Sequence, residues 1–115
     1  MSVELSASEA LGLWHSVLLS QVRDDMPDLT IRQMAILLQI YLVPPPHTVR
    51  GLAALLDVTK PVITRALDRM GELALVDRER DPRDRRNVII KRTVKGALFL
   101  EKFGDLVIAE GRRLG

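Results

Sequence analysis

Apolar residues recur at helical spacing along most of this chain and switch to strand spacing in one region. Leu11, Trp14, Leu18 and Val22 share one face of a helix expected from about Ala7 to Asp25, and Leu13, Val17 and Leu19 widen its apolar arc. Ser6-Ala7-Ser8-Glu9 has the form of a capping box at its start, and Pro27 ends the segment. A second helix opens at Thr30, where Thr30-Ile31-Arg32-Gln33 is again a capping box, and places Ile31, Met34, Leu37, Leu38 and Tyr41 on one side. Pro44-Pro45-Pro46 stops it, because no helix continues through three missing donors. Thr48 caps a short helix from Val49 to Leu56 with Leu52, Leu55 and Leu56 inward. After the turn Asp57-Val58, Thr59 is the next N-cap and Pro61 fits the first helical turn. The helix from Lys60 to about Leu73 is expected to bury Val62, Ala66, Met70 and Leu73 and to expose Lys60, Thr64, Arg65, Asp68 and Arg69.

The period then changes. Leu75 to Glu79 and Val88 to Arg92 read as short strands around a charged, turn-rich tip, Asp81-Pro82-Arg83-Asp84-Arg85-Arg86-Asn87. Thr93 caps a last helix that runs to about Arg112 with Val94, Leu98, Phe99, Leu100, Phe103, Leu106 and Val107 on a wide apolar arc. The expected fold is mainly α with a small β-hairpin wing (α+β), a winged helix-turn-helix with terminal dimerisation helices. The 115 residues are expected to form one winged-helix domain: helix-turn-helix at about 48–73, wing at 75–92, terminal helices at 7–25 and 93–112. With only 3% aromatic residues, the core has to be aliphatic.

Charge sharpens this picture. The net charge is only +2, but its distribution is uneven. Up to Leu29, Glu4, Glu9, Asp24, Asp25 and Asp28 face a single Arg23, whereas Arg78 to Lys95 holds Arg78, Arg80, Arg83, Arg85, Arg86, Lys91, Arg92 and Lys95. Such a division directs a field toward one surface. There is no cysteine, which excludes disulfides and thiolate metal clusters. His15 and His47 have no ligand-like spacing to an acidic residue, so no metal site is expected. Nucleophile-elbow, phosphate-loop and paired-histidine motifs are missing, and neither an enzyme nor a cofactor is expected. No secretory leader is visible and no apolar run approaches a membrane span, so the expected location is the cytoplasm.

The order of elements and the basic stretch converge on nucleic acid. A recognition helix enters the major groove with its N-terminal end. Thr59, Lys60, Pro61, Thr64, Arg65 and Arg69 occupy that end and its outer face, with Thr64 and Arg65 placed to reach base edges. An arginine–guanine pair contributes roughly 1–3 kcal/mol of discrimination. Arg83, Arg85 and Arg86 at the hairpin tip suit the minor groove or flanking phosphates. Thr48 and Arg50 are expected phosphate contacts. Asp84 is read as a brace that aims Arg86, and Asp68 as a brace from the recognition helix. The wide apolar arcs on the terminal helices point to a homodimer.

The stretch from about Leu29 to Leu98 resembles the MarR (multiple antibiotic resistance regulator) family of transcription factors. The resemblance rests on Leu29-Thr30, on Val62-Ile63-Thr64-Arg65-Ala66-Leu67-Asp68-Arg69-Met70, on Leu75-Val76-Asp77-Arg78, on Asp84-Arg85-Arg86 and on Thr93-Val94-Lys95-Gly96. It implies that Thr64, Arg65 and Arg69 lie on the DNA-reading helix, with Arg86 as the wing arginine and Asp84 as its partner. It also implies a homodimer joined by the first and last helices, usual repression of transcription, and release by small phenolic or other lipophilic ligands. Three features depart from the family pattern. Ala74 stands where glycine is usual, and alanine disfavours a left-handed turn, so this turn is expected to differ. Arg92 stands where leucine is usual, which is expected to leave the strand end more exposed or to add a phosphate contact. Both terminal helices are short for the family.

The leading expectation is a sequence-specific regulator of transcription that binds double-stranded DNA. A winged-helix module that binds protein is the rival reading, although such modules usually lose the cations of the recognition face, and Lys60, Arg65 and Arg69 remain here. A third reading is a ligand sensor with weak DNA affinity and a lipophilic or aromatic effector.

Overall fold

The elements follow the order α1 (Ala7–Arg23), α2 (Ile31–Leu42), α3 (Val49–Leu56), α4 (Lys60–Glu72), β1 (Val76–Arg80), β2 (Val88–Arg92) and α5 (Val94–Arg112) in a computed structural model that describes residues 3–114. Two helix starts are closed by reciprocal capping boxes. In α1 the Ser6 amide donates to Glu9 at 3.0 Å and the Glu9 amide donates to Ser6 Oγ at 3.1 Å. The bond from the Ser6 backbone, then that with its side chain, hold the Glu9 carboxyl below the ordinary glutamate range. In α2 the same exchange links Thr30 and Gln33 at 2.9 and 3.0 Å. Thr48 caps α3 by accepting from the Gly51 amide at 2.9 Å. Thr59 departs from its expected role: it occupies the N-cap position of α4, but its side chain makes no capping bond. Pro61 has no amide to offer, and the Val62 amide is already bonded to the Thr59 carbonyl at 3.1 Å.

The chain divides into two compact units, one comprising Leu29–Phe99 and the other the residues up to Asp28 together with those from Leu100 onward. In the first unit β1 and β2 pair antiparallel with Val76 opposite Arg92, Arg78 opposite Ile90 and Arg80 opposite Val88. An isolated bridge joins Thr48 to Ile89, and the Ile90 amide donates to the His47 carbonyl at 2.8 Å. The hairpin is thereby tied to the start of α3.

The core of this unit is aliphatic, as the shortage of aromatic residues requires. Ile36, Leu37, Ile40, Ile63, Leu67, Met70 and Leu75 are fully buried, with Leu52, Ala53, Ala66, Val76 and Ile90 around them. Each large side chain contributes about 1.5–3 kcal/mol by leaving water. The buried columns differ in part from the expected ones. On α2 the buried stripe is Ile36, Leu37 and Ile40, while Ile31 is 91% exposed. On α4, Ile63 and Leu67 join Ala66 and Met70, whereas Val62 and Leu73 are half-buried. On α3, Ala53 is buried beside Leu52 and Leu55 faces out. These helices are apolar on more than one column, and the neighbouring element decides which column turns inward.

The base of the wing is a dense polar junction. Ala74 adopts φ 60°, and the turn takes the full Schellman form: the Leu75 amide reaches the Met70 carbonyl and the Ala74 amide reaches the Gly71 carbonyl, each at 2.9 Å. The expectation of a different turn at Ala74 is therefore overturned; alanine occupies the left-handed site. The Tyr41 hydroxyl lies 2.8 Å from the Leu75 carbonyl and 3.1 Å from the Thr93 carbonyl, and it accepts from the Thr93 amide at 2.9 Å. Thr93 Oγ1 donates to the Ala74 carbonyl at 2.8 Å and accepts from the Gly96 amide at 2.9 Å, capping α5. Gly96 has no room for a Cβ, which would collide with the Tyr41 hydroxyl and the Leu75 carbonyl.

At the second departure Arg92 is exposed, as expected, and it also bonds within the chain. Its Nε donates to the Ile40 carbonyl at 2.8 Å and a terminal nitrogen donates to the Val43 carbonyl at 3.0 Å, with the guanidinium carbon 5.8 Å from the Tyr41 ring centre. It turns back onto the C-terminal end of α2, where a cation complements the helix dipole. His47 is buried, its Nε2 2.8 Å from the Val43 carbonyl.

In the second unit Val17 and Phe103 are buried, and the carboxylate of buried Glu110 accepts from Ser20 Oγ at 3.4 Å and lies 3.6 Å from the Arg113 guanidinium. Leu11, Trp14, Leu18 and Val22 are exposed at 71%, 54%, 43% and 77%. A core role for Trp14 within one chain is therefore excluded.

Candidate nucleic-acid interface

The outer face of α4 carries Lys60, Pro61, Thr64, Arg65, Asp68 and Arg69, all exposed, because Ile63, Ala66, Leu67 and Met70 hold the opposite face in the core. Arg69 is 3.6 Å from Glu72, one turn away on the same helix. Asp68 is 2.7 Å from Arg78 of β1, so the brace from this helix reaches the wing strand. Among the described residues, Lys60, Thr64 and Arg65 take part in no ion pair or side-chain hydrogen bond.

The tip of the hairpin is built by its two carboxylates. Asp81 accepts from the Arg83 amide at 2.9 Å through one oxygen and from the Asn87 side chain at 3.4 Å through the other. Asp84 accepts from the Arg86 amide at 3.1 Å, and its contact with Arg86 Nε is looser, at 3.8 Å. Backbone bonds from Asp81 to Asn87, Asp84 to Asp81 and Asn87 to Asp84 close the loop. The acidic residues that look misplaced beside phosphates are thus engaged with the loop's own amides. Arg83, Arg85 and Arg86 stay exposed, the Arg86 side chain at 93%.

One contributor escaped the sequence reading. Arg80, at the end of β1, donates to the Arg85 carbonyl across the tip at 2.7 Å. Its sequence signal was its place in the basic stretch; the structure adds its position opposite Val88 where the strands part. Lys91 and Glu79, cross-strand neighbours, pair at 2.8 Å.

Thr48 is bonded to Gly51 and bridged to β2, with a hydroxyl proton left to donate. Arg50, second residue of α3, is exposed and has no acidic partner among the described residues. No hydrogen bond or ion pair among the described residues joins the tip, residues 81–87, to α4. None of the described acidic and histidine side chains gather in a group of three able to hold a metal ion. No described helix is long and apolar enough to cross a membrane.

A family model described as MarR family matches residues 28–87. The chain is similar to the transcriptional regulator Tm0710 from Thermotoga maritima, at 25% identity, over 93% of this chain and 72% of that one, with a TM-score of 0.75. It is similar to a mutant MarR from E. coli complexed with operator DNA, at 28% identity, over 87% of this chain and 66% of that one, with a TM-score of 0.66. It shares the fold of a mutant MepR from S. aureus bound to an oligodeoxyribonucleotide, at 20% identity, over 96% and 83% of the two chains, with a TM-score of 0.79. No curated protein sequence matches it.

Proposed function

The chain belongs to the MarR family, and we propose that it is a sequence-specific regulator of transcription that binds double-stranded DNA as a homodimer and represses. The observation that carries this reading is the pairing of two cationic surfaces. One is the outer face of α4, with Lys60 and Arg65 unpaired. The other is a wing tip whose carboxylates are committed to backbone amides while Arg83, Arg85 and Arg86 extend outward. On this reading Thr59, Lys60, Pro61, Thr64, Arg65 and Arg69 line the major groove, the three tip arginines reach the minor groove or its phosphates, and Thr48 and Arg50 hold the backbone. The operator-bound relative, a mutant MarR from E. coli, supports the same use of the fold.

The homodimer reading rests on the exposed row Leu11, Trp14, Leu18 and Val22 of α1. Such a row is disfavoured in water and is covered by a second copy. Sedimentation should show a dimer that Leu18→Glu converts to monomer; a wild-type monomer at all concentrations overturns it. A small lipophilic or aromatic effector belongs to the same reading and is tested by thermal shift.

Duplex binding across a salt series tests the central claim. Affinity should fall steeply with salt, since each phosphate neutralised releases counterions. Arg65→Ala should relax base preference, and Arg83→Ala should weaken all duplexes alike. Binding that ignores salt, or no binding, overturns the proposal.

A further inference from the structure

Arg32 lies outside both the helix-turn-helix and the wing, in the first turn of α2. Its position is unfavourable for stability. A cation in the first turn opposes the helix dipole, and no acidic residue occupies that turn. Arg32 is exposed, and among the described residues it pairs with no carboxylate and bonds to no side chain. The Thr30–Gln33 capping box serves the amides of those two residues. A second observation gives this cation a purpose. Thr30, the N-cap of α2, with Arg32 and Gln33 of α2 line a groove of about 200 Å³ together with Val62, Arg65 and Ala66 of α4. Two unpaired guanidiniums from different helices thus flank one open groove beside the recognition face.

We propose that Arg32 is a further DNA-binding residue, holding a backbone phosphate of the duplex beside the groove that it shares with Arg65. This rests on the DNA-binding reading above. A guanidinium offers planar, paired donors suited to a phosphate, and neighbouring cations without acids between them concentrate the field that attracts one. The two arginines divide the work: Arg65 points its helix at base edges, and Arg32 anchors the strand that passes the end of α2. Contacts to the backbone position the protein without reading sequence. On this reading the chain grips DNA from four places, the wing, α4, the start of α3 and the start of α2.

The test uses the full-length protein and duplexes selected from a random pool by the wild type. Arg32→Ala should weaken binding about threefold to tenfold on every duplex, lower the slope of log affinity against log salt by about 0.9, and leave base preference unchanged. Arg32→Lys should recover most of the affinity. Arg32→Glu should bind worst of all yet melt at the same temperature as the wild type or higher, since it reverses the conflict with the helix dipole. Those variants would thereby separate contact from folding. If wild type binds with a steep salt slope and Arg32→Ala matches it in affinity and slope, the Arg32 assignment fails while the DNA-binding reading stands. If wild type binds no duplex, the underlying reading fails. A change of base preference in Arg32→Ala would overturn the assignment to phosphate.

Discussion

Asp68 of α4 and Arg78 of β1 meet at 2.7 Å, which joins the wing strand to α4 through one ion pair. The side chains are 53% and 33% exposed, so water and salt screen the pair and its contribution to stability is at most about 1 kcal/mol. Its value lies in orientation. Asp68→Ala removes a negative charge from the face proposed to meet DNA, which by charge alone should tighten binding. We expect the opposite, a drop of severalfold in affinity with a melting temperature no more than about 5 °C below that of wild type. Fluorescence anisotropy on a selected duplex decides between the two. Tighter binding would mean that the pair orients nothing.

Ala74 holds φ 60° at the site where a helix ends in a Schellman turn. A left-handed conformation costs an L-residue about 1–2 kcal/mol. Glycine removes that strain but adds about 0.4–1 kcal/mol of unfolded-chain entropy. Ala74→Gly should therefore stabilise the protein by about 0.5–1 kcal/mol, read as a higher urea midpoint with an unchanged slope.

Gly96 has the reverse constraint. A methyl group there meets the Tyr41 hydroxyl and the Leu75 carbonyl. Alanine is the better helix former by about 1 kcal/mol, but overpacking against a backbone carbonyl costs about 1–3 kcal/mol or more. Gly96→Ala should lower stability, and adding Tyr41→Phe should not restore it, because the carbonyl remains and the Thr93 amide then loses its partner. Thermal melting of the single and double variants checks this.

Arg92 is held by the fold, unlike the arginines proposed to face DNA. Arg92→Leu should cost about 1 kcal/mol, since the Ile40 and Val43 carbonyls at the end of α2 lose charged donors. Its salt slope for duplex binding should equal that of wild type. A slope reduced by about 0.9 would mean that Arg92 reaches a phosphate after all.

Local features were legible in the sequence because their physics is local. The capping boxes at Ser6 and Thr30 and the bounds of α3 follow from side chains that reach only a few residues. The wing was legible because the period changed to strand spacing around a loop rich in turn residues. The α4 cations were legible because a charged side chain without a partner stays out of an apolar core, whichever apolar column turns inward. That the carboxylates of Asp81 and Asp84 would serve the tip's own amides was only half visible: a brace for Arg86 was expected from Asp84, and no role was assigned to Asp81.

The sequence by itself determined the order of elements, the caps of α1, α2 and α3 and the cationic character of α4 and the wing, since each is set by residues within a few positions of one another. Only the tertiary structure decided which apolar column of α2 and α4 is buried, because both helices offer more than one and the neighbour chooses. It alone decided the fate of Arg92, whose partner Ile40 lies 52 residues away, and the conformation of Ala74, held left-handed where Tyr41 and Thr93 lock the chain on either side. Spacing along a chain states what a residue is able to do, and the partner that folding brings beside it selects among those options.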